Sequence, residues 1–361
     1  MFWLGAIVSL CYVPGFTGAY IATQWPLLSL VLPFFLLRSG VLTPLHWLGL
    51  LFIAYVVTRV GYAPAPSAGV FGAWLITIMG MCVWLGTTLT DLRELYKGLA
   101  IGAAASSAVA IFQRFGFDGI PQTSSMPAGL YVNSVQQGTV LALLAVALVS
   151  ERMWLWVLPL LPGIALSGSR GAFLALAVGL LACCTRRLWV FGLVAAVGAF
   201  YFLSPLSSSD TQRVLIWSVA WHNLTWLGWG PGMFYTILIP QDGAAPFFPE
   251  YAHNDALQLA FEYGIIALLP VGILAAALWR TDAREWPVVV AFVAAGCYSM
   301  PLWMPVASFL SLVAVGRVLC SYGVACSDGS NCRQSFIPRW RGSRTAGGAA
   351  IPVASYNFAK G

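Results

Sequence analysis

Charge is scarce in this chain. Asp, Glu, Lys and Arg make up 8% of 361 residues, while hydrophobic residues reach 60% and mean hydropathy is +0.82. Outside 205–253 and the segment after 322, long polar runs are missing too, which excludes an ordinary soluble domain and indicates a polytopic membrane protein. No basic stripe with interleaved aromatics is present, so the net charge of +6 fits loops beside anionic membrane lipids, and nucleic acid is not an expected partner. There are eight cysteines, none in an expected outside loop, so no disulfide framework is implied; Cys326 and Cys332 lack zinc-site spacing. Asp-x-Asp, a P-loop, a dinucleotide glycine fingerprint and a metal-binding His pair are all missing. A metal-dependent nucleotide-sugar transferase is thereby disfavoured, and neither metal nor cofactor is expected.

What the chain has is apolar runs. Runs of about 17 to 25 residues can cross a bilayer as helices, and candidates fall at roughly 3–22, 25–37, 44–60, 68–89, 96–113, 132–150, 153–167, 170–184, 187–204, 256–279, 286–301 and 304–321. The expected fold is therefore all-α, with about twelve transmembrane helices. Pro26 and Pro33 mark the second as a broken or tilted segment. The start Met1-Phe2-Trp3-Leu4 has no positively charged region, so the first span is expected to stay uncleaved. With the N-terminus inside, Arg59, Arg114, Arg170 and Arg213 fall outside and the rest of the 18 Lys and Arg fall inside, the asymmetry that orients membrane proteins.

This divides the chain into N-terminal spans (1–150), a second group of spans (151–321) and a Gly-, Ser- and Arg-rich inside tail (322–361) too poor in apolar residues to pack. The outside segment 114–131 has loop composition. The longer outside loop, 205–253, carries Trp217, Trp221, Trp226 and Trp229, a content typical of a membrane interface. Within it, Ser209 or Asp210 can cap a helix running to about Asn223, with Arg213, Ile216, Trp217 and Ala220 on one face. Gly228-Trp229-Gly230-Pro231-Gly232 then forces a turn.

Ionisable groups at a membrane boundary are costly unless they face a cavity or a partner, and they cluster at His253-Asn254-Asp255. Asn254 or Asp255 is the expected cap of the next span, leaving the His253 imidazole just ahead of it. The positive helix end and nearby arginines should keep that imidazole neutral, as a general base requires. Asn254 or Asp255, Gln258 and Glu262 form one polar stripe, expected to face the bundle interior. Arg170, in Ser167-Gly168-Ser169-Arg170-Gly171, opens a span that Ser169 can cap. A cation there opposes both the helix dipole and the orientation rule, which suggests a bound anion; phosphate would satisfy the guanidinium and the free backbone N–H groups together. Alone, Arg170 can also snorkel to lipid phosphate, Arg213 contact headgroups, and His253 serve as a capping residue.

Ser169-Arg170-Gly171, Arg213 with Trp217, Leu227-Gly228-Trp229-Gly230-Pro231-Gly232, and His253-Asn254-Asp255 with Gln258 and Glu262-Tyr263-Gly264 occur in an order that resembles the O-antigen ligase family. Its superfamily also holds polysaccharide polymerases and protein O-oligosaccharyltransferases. The likeness covers residues 160 to 280; the first 150 match only as a series of spans. It implies a GT-C-like glycosyltransferase of the bacterial inner membrane, acting on the periplasmic side. The implied donor is an undecaprenyl-diphosphate-linked glycan, transferred with inversion and without metal to the lipid A core. His253 then matches the base, Arg170 and Arg213 the diphosphate-binding arginines, and Glu262 a supporting residue. The outside loop is short for the family. An O-antigen or exopolysaccharide polymerase, acting on another lipid-linked glycan, is the first alternative; the protein-glycosylating branch and a polysaccharide or lipid transporter come after it. A transporter should carry polar groups on broken helices in both halves, whereas here they gather in the second.

Overall fold

A computed structural model describes residues 1–10, 19–36, 44–117, 119–120, 126–131, 133–184, 208–238, 251–280 and 283–321. All regular structure among them is helical. In chain order the α-helices are α1 (Phe2–Leu10), α2 (Ala19–Leu36), α3 (Pro44–Val60), α4 (Pro66–Thr88), α5 (Arg93–Arg114), α6 (Ser134–Ser150), α7 (Leu161–Ser167) and α8 (Arg170–Cys184). They continue as α9 (Ser208–His222), α10 (Met233–Leu238), α11 (Asp255–Tyr263), α12 (Leu268–Arg280), α13 (Trp286–Gly296) and α14 (Pro305–Ser321). The expected span 187–204, the tail and Cys11, Cys326 and Cys332 lie outside the described residues.

Among the described residues, two helices, α4 and α5, are long and apolar enough to cross a membrane, and a third crossing follows if α11 and α12 count as one bent span. The other apolar helices are shorter. The expected span at 153–167 is two 3-10 turns, Trp154–Trp156 and Leu158–Leu160, followed by the one short helix α7. Pro159 and Pro162 remove amide donors there and prevent one regular helix. The expected span at 256–279 bends by 95° between α11 and α12. Gly264 ends α11 at φ +65, a 3-10 turn follows, and Pro270 lies in the first turn of α12, where a proline suits the start of a new helix better than the continuation of an old one. In the opposite direction, α2 runs through both Pro26 and Pro33 as one assigned helix.

Close packing uses small residues. Gly98 and Gly102, one turn apart on α5, face Gly5 and Ser9 of α1, and a Cβ on either would collide with the α1 backbone or with Ser9. Gly86 of α4 and Gly316 of α14 meet in the same way. Lipid tails are as apolar as Leu, so helices in a bilayer gain from this backbone approach more than from burying apolar area. Behind the candidate site, α6 and α13 pack against α8. A buried polar network tethers the segment 126–131: Gln113 Oε1 accepts from the Ala128 and Gly129 amides at 2.9 and 2.8 Å, and Ser106 Oγ accepts from Leu130 N at 2.8 Å.

Candidate active site

Arg170 opens a helix and His253 lies just ahead of one, whereas Arg213 sits within α9. Ser169 Oγ accepts from the Ala172 amide at 3.3 Å, so Ser169 caps α8 and Arg170 is the first residue of that helix. On α9, Ile216 and Ala220 are buried, and Arg213 and Trp217 are part-buried beside them, the face that helical spacing predicts. The expected caps Ser209 and Asp210 instead lie inside α9, which begins at Ser208.

Arg170 and Arg213 meet on one cleft of about 180 Å³, lined also by Val135, Gly168, Ser169, Gly171, Tyr298 and Ser299. The Arg213 guanidinium stacks over the Tyr298 ring, 4.3 Å from its centre, a cation–π contact that fixes the charge against a flat support. Ser299 is buried, and its Oγ has no hydrogen-bond partner among the described residues. Tyr298 and Ser299 escaped the sequence reading because they fell inside an expected span. The break Tyr298-Ser299-Met300-Pro301 between two apolar runs was the available signal.

His253 lies outside the cleft lining but next to Arg213 electrostatically. Burial first, and the Arg213 charge second, lower its pKa to about 4, so the imidazole is neutral at physiological pH. Its backbone stands at φ 52, the left-handed region that costs most side chains strain but is visited more often by His. Both neighbours are anchored. The Ala252 carbonyl accepts from Trp217 Nε1 at 2.7 Å and its amide donates to Gln258 Oε1 at 3.0 Å. Asn254 caps α11 through Leu257 N at 3.0 Å, while its Nδ2 donates to the Cys297 carbonyl at 3.3 Å.

The polar stripe does face inward: Asp255, Gln258 and Glu262 are all buried. Its contacts are supporting ones. Asp255 Oδ2 accepts from Leu302 N at 3.0 Å. Glu262 accepts from Gln258 Nε2 at 3.2 Å and from the Gly232 amide at 2.9 Å, while its own carbonyl accepts from Gly230 N at 2.9 Å.

Arg59 Nη2 donates to the Gly228 carbonyl at 2.6 Å, and Tyr55 Oη donates to the Leu227 carbonyl at 2.8 Å. The glycine-rich turn 227–232 is thus clamped between α3 and α11, and it takes positive φ at Gly228, Gly230 and Gly232. Arg59, expected outside, is part of that clamp.

Chemically, two guanidiniums converging on one cleft can hold a phosphate or diphosphate group, and a neutral imidazole nearby can accept a proton. Among the described residues, no group of three or more His, Cys, Asp or Glu is placed to hold a metal ion. No protein-family model matches the chain, and no curated protein matches its sequence.

Proposed function

We propose that the protein is a metal-independent inverting glycosyltransferase of the bacterial inner membrane, with a GT-C-like arrangement of about twelve spans and its site on the periplasmic side. It transfers a glycan from undecaprenyl diphosphate to a hydroxyl of the lipid A core. The observation that carries this reading is the convergence of Arg170 and Arg213 on one cleft, with a neutral His253 near enough to feel the Arg213 charge. The order of motifs shared with the O-antigen ligase family supplies the substrate class.

In the proposed reaction an imidazole nitrogen of His253 takes the proton of the acceptor hydroxyl. The acceptor oxygen forms a bond to the anomeric carbon from the face opposite the diphosphate, which inverts that centre. The bond from the anomeric carbon to the diphosphate oxygen breaks, and its electron pair leaves with the diphosphate. Arg170 and Arg213 stabilise the negative charge that grows there, and the His253 proton passes to solvent before the next turnover.

Purified protein, an undecaprenyl-diphosphate-linked glycan and lipid A core acceptor test the reading directly. Glycan should appear on the core with inverted configuration and equal yield in EDTA. Arg170→Ala and Arg213→Ala should each lower turnover by about 100-fold or more, and Lys should restore only part of it because it lacks the bidentate fork. Near-normal transfer in both Ala variants, or loss of activity on chelation, sinks the mechanism. Extension of one lipid-linked glycan by another, with no transfer to the core, makes the protein a polymerase instead.

A further inference from the structure

A second cleft, of about 200 Å³, is lined by Arg93, Ser150, Glu151, Arg152 and Arg284. It lies at the other end of α6 from the candidate active site, whose cleft includes Val135. About fifteen residues of helix put roughly 22 Å between the two.

The charges here do not cancel. Glu151 is buried and accepts from Arg93 Nε at 3.0 Å, with Arg284 more distant at 3.8 Å. Asp91, outside the lining, accepts from the Arg93 backbone amide at 2.9 Å. Arg152 forms no ion pair or side-chain hydrogen bond among the described residues, so the cleft keeps an excess of guanidinium.

Arg152 is also held in an unusual backbone. It stands at φ 61, just past the end of α6, where Met153 N donates to the Leu148 carbonyl at 2.8 Å and Arg152 N to the Val149 carbonyl at 2.9 Å. This is the helix-ending motif whose left-handed position normally takes Gly. An arginine there is unfavourable for the turn, yet it turns a third guanidinium onto the cleft. The chain that leaves the cleft carries Trp154, Leu155 and Leu158, which are 60%, 79% and 60% exposed. An apolar, Trp-bearing surface directly beside a basic cleft is the arrangement that a lipid fits, its chains on the apolar side and its phosphate among the arginines.

We propose that this cleft binds a phosphate-bearing anion, namely the headgroup of an anionic phospholipid. The probes are phosphatidylglycerol and phosphatidylcholine, supplied to the full-length protein in mixed nanodiscs, with bound lipid measured after exchange into detergent. Phosphatidylglycerol should be retained over phosphatidylcholine. Arg152→Gln and Arg284→Gln should each lower that preference by about fivefold, the effect of about one unit of charge near a membrane surface. Arg152→Gly relaxes the turn and should lose the preference equally, whereas Arg152→Lys should keep much of it. Arg284 is 70% exposed, so its variant tests the site even if turn substitutions at 152 disturb folding.

Inorganic phosphate supplies the second arm. Retention that survives millimolar phosphate identifies the lipid as the source; displacement by it supports a phosphate site but overturns the lipid assignment. Equal retention of the two lipids, or unchanged preference in both Gln variants, overturns the site itself.

Discussion

At the scale of single residues, the proposed mechanism turns on His253. Its pKa is lowered to about 4 from 6.5, so the neutral form is already complete well below neutrality. Transfer should therefore be flat above pH about 5 and fall as pH drops through about 4, if His253 is the base. The sign for stability is the same: the unfolded chain takes up this proton at higher pH than the folded one. Stability from the neutral His253 is fully present above 6.5 and is lost as pH falls toward 4. His253→Ala should lower turnover by about 100-fold or more, whereas loss of a merely structural residue leaves the pH profile in place. An active Ala variant with an unchanged profile excludes His253 as base. The sequence made this residue visible because an imidazole, an Asn cap and two carboxylates stood together where polar groups are rare. Tyr298 and Ser299 were legible only as a break between two apolar runs, because their place beside Arg213 is set by folding.

Among the elements, α11 and the turn 227–232 show where pattern reading works and where it stops. The three-to-four-residue recurrence of Asp255, Gln258 and Glu262 made an inward stripe legible, because helical periodicity alone decides which side chains share a face. What the stripe touches was not legible, because Gly232 and Leu302 come from other parts of the chain. The same limit applies to length: hydropathy read 256–279 as one span, but it bends by 95° between residues 255–267 and α12. Glu262 acts on the turn, so Glu262→Ala should destabilise the protein by about 1–3 kcal/mol through the lost acceptor of the Gly232 amide. Glu262→Gln keeps an acceptor and should recover much of that stability. Thermal unfolding in detergent checks the order. If instead both variants are fully stable yet inactive, Glu262 belongs to the chemistry rather than to the clamp.

For the whole molecule, the helices α6 and α13 connect two clefts of different charge logic. At one end Arg170 and Arg213 surround a cleft in which the described lining holds no carboxylate; at the other, Glu151 orders arginines around itself. The excess of Lys and Arg assigned inside predicts that the Glu151 end faces the cytoplasm and the Arg170 end the periplasm, and the proposed donor requires that orientation. Single cysteines introduced at Thr211 on α9 and at Arg284 before α13, both exposed, test it in a background with the native cysteines replaced. An impermeant thiol reagent, applied to cells with a permeabilised outer membrane, should label Thr211→Cys directly and Arg284→Cys only after the inner membrane is broken. Labelling of both from one side removes the two-ended arrangement. The reverse pattern places the arginine cleft in the cytoplasm, where a periplasmic transfer reaction could not use it, and the phospholipid site would then face the outer leaflet.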